Sequence, residues 1–400
     1  METPGGGVRL GVVRETATGE RRVALVPEVL GKISGLGADV LVESGAGRLA
    51  TFDDAAYTGA GAQVTTLDEV YAGASVIARV GPPTPQDSDR LRPGQILVGL
   101  LRPWERPAEV RRWAQRGVTT IALDYLPRTL SRAQTMDALT SQSSIAGYRA
   151  AIRAADTYGG YFPMLMTAAG TVKPAEVLVL GAGVAGLQAI ATARRLGASV
   201  SGYDVRPQAR AEVASLGARF VDLPGVVSTM GTDGYARELT ESERAAQLEA
   251  LDRHIARADV VITTAQVPGR KPPLLVTAAA VAEMKPGSVV VDIAAGPYGG
   301  NVEVSQADRT VTVPPGVIVI GAGNLPSDMA PAASRAYARN VAALLALVVR
   351  DGAVTVDPDD EVLRAMLVTH GGQVVHPSLR GDAPAGAAAA SAEQDAGNGS

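Results

Sequence analysis

Short runs of β-branched and aliphatic residues recur through the first third of the chain, at residues 8–13, 40–43, 76–79, 96–100 and 119–123. Between them lie stretches whose apolar residues fall at helical spacing. That alternation predicts a parallel sheet covered by helices. Residues 131–158 differ: they hold no proline, a single glycine and many alanines, which predicts one long helix. A second series of strands is expected at residues 177–180, 200–203, 220–221, 260–263, 289–293 and 317–320, enough for a complete doubly wound sheet. Residues 329–349, rich in Ala and Leu, predict another long helix that returns the chain to the first domain. The expected fold is therefore α/β, with two doubly wound parallel-sheet domains joined by long helices. One is discontinuous, residues 1–143 plus 327–381; the other is residues 144–326, and the cleft between them is where a ligand is expected. Residues 382–400 are Ala, Gly, Ser and Pro with few apolar anchors, a composition that predicts a disordered tail.

At 400 residues, with 46% hydrophobic and 20% charged residues, the chain is long enough for two such cores. Lys and Arg number 37 against 41 Asp and Glu, and no basic block is long enough to track a phosphate backbone, so nucleic acid is not an expected partner. With no cysteine, disulfides, thiolate nucleophiles and Cys-ligated metals are excluded. His254, His370 and His376 show no metal-ligand spacing, and no metal site is expected. The N-terminus lacks the basic and apolar regions of a secretory signal. The longest uncharged apolar stretch, residues 177–193, is broken by Gly181, Gly183 and Gly186 and reads as strand, turn and helix rather than a membrane span. A soluble, cytoplasmic chain is the expectation.

That stretch carries the clearest chemistry. Gly181-Ala182-Gly183-Val184-Ala185-Gly186 follows a predicted strand and opens a predicted helix, the setting in which GxGxxG binds a dinucleotide. Gly181 would allow the tight turn, Gly183 the approach of a pyrophosphate to the backbone, and Gly186 close packing of helix on strand, with the helix N-terminus at Val184 and Ala185 facing the anion. This makes the second domain the NAD(H)-binding one. The next strand ends at Asp204, where a carboxylate accepts from both ribose hydroxyls and repels a 2′-phosphate, favouring NAD. Val205 and Arg206 are placed beside it, and Arg206 could also receive a 2′-phosphate. A later loop, Thr264-Ala265-Gln266, follows a strand at the same edge and could contact the nicotinamide ribose; an ordinary strand-to-turn connection would look much the same.

The stretch Arg132-Ala133-Gln134-Thr135-Met136-Asp137, with Ser141-Gln142-Ser143 and Ala146-Gly147-Tyr148-Arg149-Ala150 after it, resembles the α subunits of proton-translocating NAD(P) transhydrogenases, in the alanine dehydrogenase/transhydrogenase family. So do the segments around Phe162-Pro163-Met164, Leu187-Gln188-Ala189 and Asp233-Gly234-Tyr235-Ala236, and the likeness runs to about residue 378. The resemblance implies a homodimeric NAD(H)-binding component with two Rossmann-like domains. It implies partners too: an NADP(H)-binding β subunit and a membrane-embedded subunit carrying the proton path, through which the chain would be peripheral to the inner or plasma membrane. Carried over to this sequence, Arg128, Gln134, Asp137 and the hydroxyl of Thr140 or Ser141 surround the nicotinamide and its ribose, and Tyr235 sits on a loop that closes over bound nucleotide. The residue types agree. Arg128 and Asp137 can pair and fix a carboxamide, and Gln134 offers both donor and acceptor. Without the resemblance, Arg128 and Asp137 could equally decorate a helix start, and Tyr235 could be an ordinary surface tyrosine.

Alanine dehydrogenases share the architecture and are the nearest rival. Reducing an imine needs a proton donor and a cation that anchors the keto acid, which that family supplies as a Lys after one early strand and a His after the next. Here those places read Ala78-Arg79-Val80 and Leu100-Leu101-Arg102. Hydride exchange between two nicotinamides needs neither; it needs position, with the reacting carbons at about 3–3.5 Å. Arg22 resembles the early arginine that binds carboxylate in the dehydrogenase. Two departures from the transhydrogenase pattern fall at Asp292-Ile293-Ala294-Ala295-Gly296, which lacks an expected acid, and at Gly321-Ala322-Gly323-Asn324, which lacks a His-Thr pair. A non-catalytic NAD sensor with the same fold is a third reading.

Overall fold

The computed structural model describes residues 7–223, 239–266, 269–350 and 352–380. The chain forms two compact units, one from the residues up to Gln142 together with those from Ser327 onward, the other Ser143–Pro326.

In the first unit, β1 (Val8–Val12), β2 (Ala38–Glu43), β3 (Gln63–Thr65), β4 (Val76–Ala78), β5 (Ile96–Gly99) and β6 (Thr119–Ala122) are parallel, in the order β3-β2-β1-β4-β5-β6. The strand Leu367–His370 then adds antiparallel to β6, and Gln373–Val374 pairs beyond it. The return helix Ala330–Val348 buries Tyr337, Val341, Leu344 and Val348, every third or fourth residue, in the same cluster as Val12, Val40 and Val76. This is the stripe an amphipathic helix lays on a sheet. The other face packs Ile77, Leu97 and Trp113, and Trp113 Nε1 donates to Ser88 Oγ at 3.2 Å.

The long helix predicted over residues 131–158 is shorter than its composition suggests. A 3-10 turn, Ser131–Met136, comes first, and the α-helix runs Ala138–Thr157. Asp137 divides them, because its Oδ1 accepts from Thr140 N at 2.8 Å and so satisfies a donor that an uninterrupted helix would have bonded within itself.

In the second unit the helix is followed by a hairpin, β7 (Leu165–Thr167) and β8 (Gly170–Val172), whose Met166 is 77% exposed. Its sheet contains β9 (Glu176–Leu180), β10 (Ser199–Tyr203), β11 (Arg219–Phe220), β12 (Val260–Thr263), β13 (Val289–Asp292), β14 (Thr310–Val313) and β15 (Val317–Gly321), in the order β11-β10-β9-β12-β13-β15-β14 with only β14 antiparallel. Side chains alternate faces along β9: Val177 and Val179 join Ile190 and Ala193 on one side, Leu178 and Leu180 join Leu251 on the other. Strand order reverses between β9 and β12, so the loops after those two strands flank the crevice where an open α/β sheet binds its ligand.

Candidate nucleotide site

After β9 the backbone turns at Gly181, where φ is +100°, a conformation that a side chain disfavours. A Cβ on Gly181 would lie 2.6 Å from Thr264 Oγ1, and one on Gly186 would lie 1.8 Å from Gly181 O. Both glycines are therefore needed by the protein's own packing. Gly183 is different: a Cβ there would meet nothing within 4 Å, and its exposed backbone caps the helix Val184–Arg195. Val184 and Ala185, half-buried, form that helix's first turn. A further glycine, Gly147, completes the arrangement. Its Cβ would stand 2.0 Å from Ala185 O, so the absence of a side chain lets the helix Ala138–Thr157 press its backbone against the turn. Sequence reasoning missed this, although the lone glycine in an alanine-rich helix was its signal.

Asp204 stands at the end of β10. Its Oδ2 accepts from Ala182 N at 2.7 Å, tying it to the glycine turn. Arg206 folds back on it, with Nε at 3.0 Å from Oδ1 and Nη2 at 3.2 Å from Oδ2, while Nη2 also reaches Ala182 O at 3.1 Å. A cavity of about 240 Å³ opens beside them, lined by Asp204, Val205, Arg206, Arg210, Phe220 and Leu223 among others.

The loop after β12 is fastened from two sides. Thr264 Oγ1 donates to Gly181 O at 3.0 Å. Asn301, fully buried, accepts from Ala265 N at 3.0 Å and donates to Ala265 O at 2.8 Å and Pro273 O at 2.7 Å. Gln266 is exposed beyond it. Asp292, also fully buried, accepts from Thr263 Oγ1 at 2.9 Å and from the amides of Ala294, Asn301 and Val302 at 3.1–3.3 Å. Burial raises its pKa, and the Thr263 hydrogen bond opposes that. Neither Asn301 nor Asp292 was singled out from sequence as a site residue. Around them the two departing segments meet backbone on backbone, since a Cβ on Gly323 would be 2.2 Å from Ala295 O, and Gly321 is pressed on another stretch, where a Cβ would be 1.9 Å from Gln306 O.

In the first unit, Arg128 Nε donates to Asp137 Oδ2 at 3.1 Å and Nη2 to Thr140 Oγ1 at 2.7 Å, and that hydroxyl donates to Asp137 at 2.6 Å. The three side chains form one partly exposed cluster. Gln134 is exposed on the 3-10 turn. Ser141 is separated from this group: its hydroxyl donates to Asn340 Oδ1 at 2.8 Å, and Asn340 Nδ2 donates to Thr135 O at 2.8 Å. Of the two candidate hydroxyls, Thr140 alone joins Arg128 and Asp137. Tyr235 lies outside the described residues, as do Asp233 and Gly234.

Arg79, in the segment after β4 where the likeness to the dehydrogenases would call for a lysine, is 1% exposed. Its guanidinium reaches Asp87 at 3.0 Å, Glu15 at 3.2 Å and Tyr71 at 3.2 Å. Burial raises the Glu15 pKa, and Arg79 beside it opposes the shift. After β5, Arg102 takes a left-handed φ of 44° and lies 3.6 Å from Glu105. Arg22 is also buried, forked on Glu20 and bonded to Gln142 Oε1 at 2.8 Å. His376 stacks on Tyr125 with ring centres 3.8 Å apart, and His370 lies 3.3 Å from Thr119 Oγ1. Among the described residues, no helix is long and apolar enough to cross a membrane.

Two family models match the chain: "Alanine dehydrogenase/PNT, N-terminal domain" over residues 11–146 and "Alanine dehydrogenase/PNT, C-terminal domain" over residues 150–377. The sequence is 41% identical to an NAD(P) transhydrogenase subunit alpha polypeptide of Rhodospirillum rubrum over 384 residues, covering 94% of this chain and 99% of that one. It is 35% identical to the alanine dehydrogenase of Mycobacterium tuberculosis over 296 residues, 72% of each. A crystal structure of transhydrogenase from Sinorhizobium meliloti superposes with a TM-score of 0.83 at 42% identity, covering 92% of this chain and all of that one.

Proposed function

Since the chain belongs to the alanine dehydrogenase/PNT family, we propose that it is the NAD(H)-binding α subunit of a proton-translocating NAD(P) transhydrogenase. It exchanges hydride with NADP(H) held by a β subunit, and a membrane-embedded subunit couples that exchange to proton translocation. The observation that carries this reading within the family is Arg79. In the segment Ala78 to Pro83, where a dehydrogenase would need a lysine for its keto acid, this chain has no lysine, and its one cation there is an arginine buried against Glu15, Asp87 and Tyr71. A guanidinium held that way neither donates a proton at neutral pH nor is open to a carboxylate. The Leu101 and Arg102 segment after β5 supplies no imidazole in its place. The names of the relatives at about 40% identity point the same way.

NAD(H) fits the second unit as substrate. The open backbone at Gly183 and the helix start at Val184 and Ala185 suit a pyrophosphate, Asp204 suits a ribose diol, and the neighbouring cavity has room for an adenine. Thr264, Ala265 and Gln266 are assigned to the nicotinamide ribose. Arg128 and Asp137, with Thr140 beside them, fix the carboxamide, and Gln134 offers donor and acceptor to the ribose hydroxyls. The bound nicotinamide carries the hydride; this chain's residues bind, orient and exclude water, and none need move a proton. The exposed apolar hairpin residues Met164, Met166 and Val172 support a homodimer, since such a patch is normally covered. The chain would lie on the cytoplasmic side of the inner or plasma membrane, held there by its partner subunits.

Spectrophotometric reduction of an NAD⁺ analogue by NADPH, with and without the NADP(H)-binding partner domain, tests the assignment. Activity is expected only in the mixture. An inactive mixture in which both proteins bind their nucleotides overturns it and reopens the dehydrogenase and sensor readings.

A further inference from the structure

Four hydrogen bonds converge on the carboxylate of Asp204. Oδ1 receives Arg206 N at 2.8 Å and Arg206 Nε at 3.0 Å; Oδ2 receives Ala182 N at 2.7 Å and Arg206 Nη2 at 3.2 Å. Two of these bonds come from the Arg206 side chain, so carboxylate and guanidinium are held together as one unit. Arg206 is held equally firmly, by the two-pronged pair, by Ala182 O at 3.1 Å and by Glu212 Oε2 at 4.0 Å. The second arginine of the cavity, Arg210, is likewise engaged, paired with Asp222 and with its guanidinium carbon 5.0 Å from the Phe220 ring centre. The cavity beside the adenosine-ribose carboxylate thus contains two cations, each paired with a carboxylate: Arg206 with Asp204 at the end of β10, and Arg210 with Asp222 just after β11.

A planar guanidinium presented at the end of this strand is the group that takes a ribose 2′-phosphate in NADP-binding proteins. We propose that Arg206 is a masked phosphate-binding group: Asp204 selects a ribose with a free 2′-hydroxyl both by its charge and by holding the guanidinium that would otherwise receive a 2′-phosphate. The inference rests on the reading that NAD(H) binds the second unit, and it assigns the specificity of that site to a pair of residues rather than to the carboxylate alone. Removing Asp204 has two separable effects. It deletes the repulsion, and it releases Arg206 with Arg210 nearby.

Dissociation constants of NADH and NADPH for the purified full chain, measured by nucleotide fluorescence, test this in three proteins. The wild type should bind NADH far more tightly than NADPH. In Asp204→Ser, NADH binding should weaken about tenfold and NADPH binding should strengthen at least tenfold. In Asp204→Ser with Arg206→Gln, the NADPH gain should vanish. No gain in the single variant overturns the proposal; a gain that survives in the double variant does so too, because repulsion alone would then explain it. Melting curves establish that each variant is folded, and Asp204→Asn takes the place of Asp204→Ser if the latter is not. A wild type that binds neither nucleotide overturns this inference together with the nucleotide site. A wild type that binds NADH but exchanges no hydride with the partner removes only the transhydrogenase reading.

Discussion

Gln134 is exposed on a turn whose neighbouring carbonyl, Thr135 O, is held by Asn340, so its backbone is anchored while its side chain is free to meet a ligand. Shortening it by one methylene should therefore disturb geometry more than binding. Gln134→Asn is expected to slow hydride transfer to the partner at least tenfold while the NADH dissociation constant changes less than twofold; a parallel fall in affinity would mean a binding role. His376 is a residue of another kind. Burial lowers its pKa to about 4, so the folded protein keeps the ring neutral where the unfolded chain would protonate it. Its contribution is then fully present above about pH 6.5 and is lost as pH falls toward 4, on the order of 2–3 kcal/mol at most. Asp124, which burial raises to about 6, acts with the opposite sign, but it is common to wild type and variant. The melting-temperature difference between wild type and His376→Gln should accordingly shrink, or reverse, between pH 7 and pH 4.5. The glycine turn and the Asp204 position were legible in the sequence because their spacing is local. Asn340, Asn301 and Asp292 were not, since each is a single polar residue whose partners are set by the fold.

Among the elements, the strands inside each sheet were readable from short β-branched and aliphatic runs: β1, β5, β9, β12 and β13 lie within a residue or two of their predicted limits. The edges were not. β3, β14 and the strand Gln373–Val374 are short and largely uncovered on at least one face, so their sequences lack the apolar run that marked the others. The strand Leu367–His370 is buried, yet it follows directly on the helix Glu361–Met366 without a turn signal. The helix Ala138–Thr157 was legible as a helix but not in its purpose. At Gly147 its backbone lies against Ala185, and a methyl group there would have to push the turn away. Gly147→Ala is expected to cost about 1–3 kcal/mol of stability, despite alanine's better helix propensity, and to weaken NADH binding by displacing the turn. A melting temperature equal to or above the wild type's would show that the contact yields freely.

At the scale of the whole molecule, two sheets with the same switch of strand order hold different things at the switch. Between β9 and β12 the second unit places glycines and an open helix start. Between β1 and β4 the first unit places Glu15 and Arg79, sealed with Asp87 and Tyr71. One architecture thus presents a ligand-binding crevice once and closes it once. Composition could suggest two α/β units, but only side-chain contacts distinguish their contents. The first unit's sheet also has a history written into its strand order. Its β6 is flanked on the far side by Leu367–His370, a strand made about 245 residues later, after the whole of the second unit. At a synthesis rate of about 5–20 residues per second, the nascent first unit waits for roughly 12–50 s with the β6 edge unpaired, a template for any passing strand. During that interval the ribosome-bound chain is most prone to aggregate, and a translational stall before Leu367 leaves the seam unsewn.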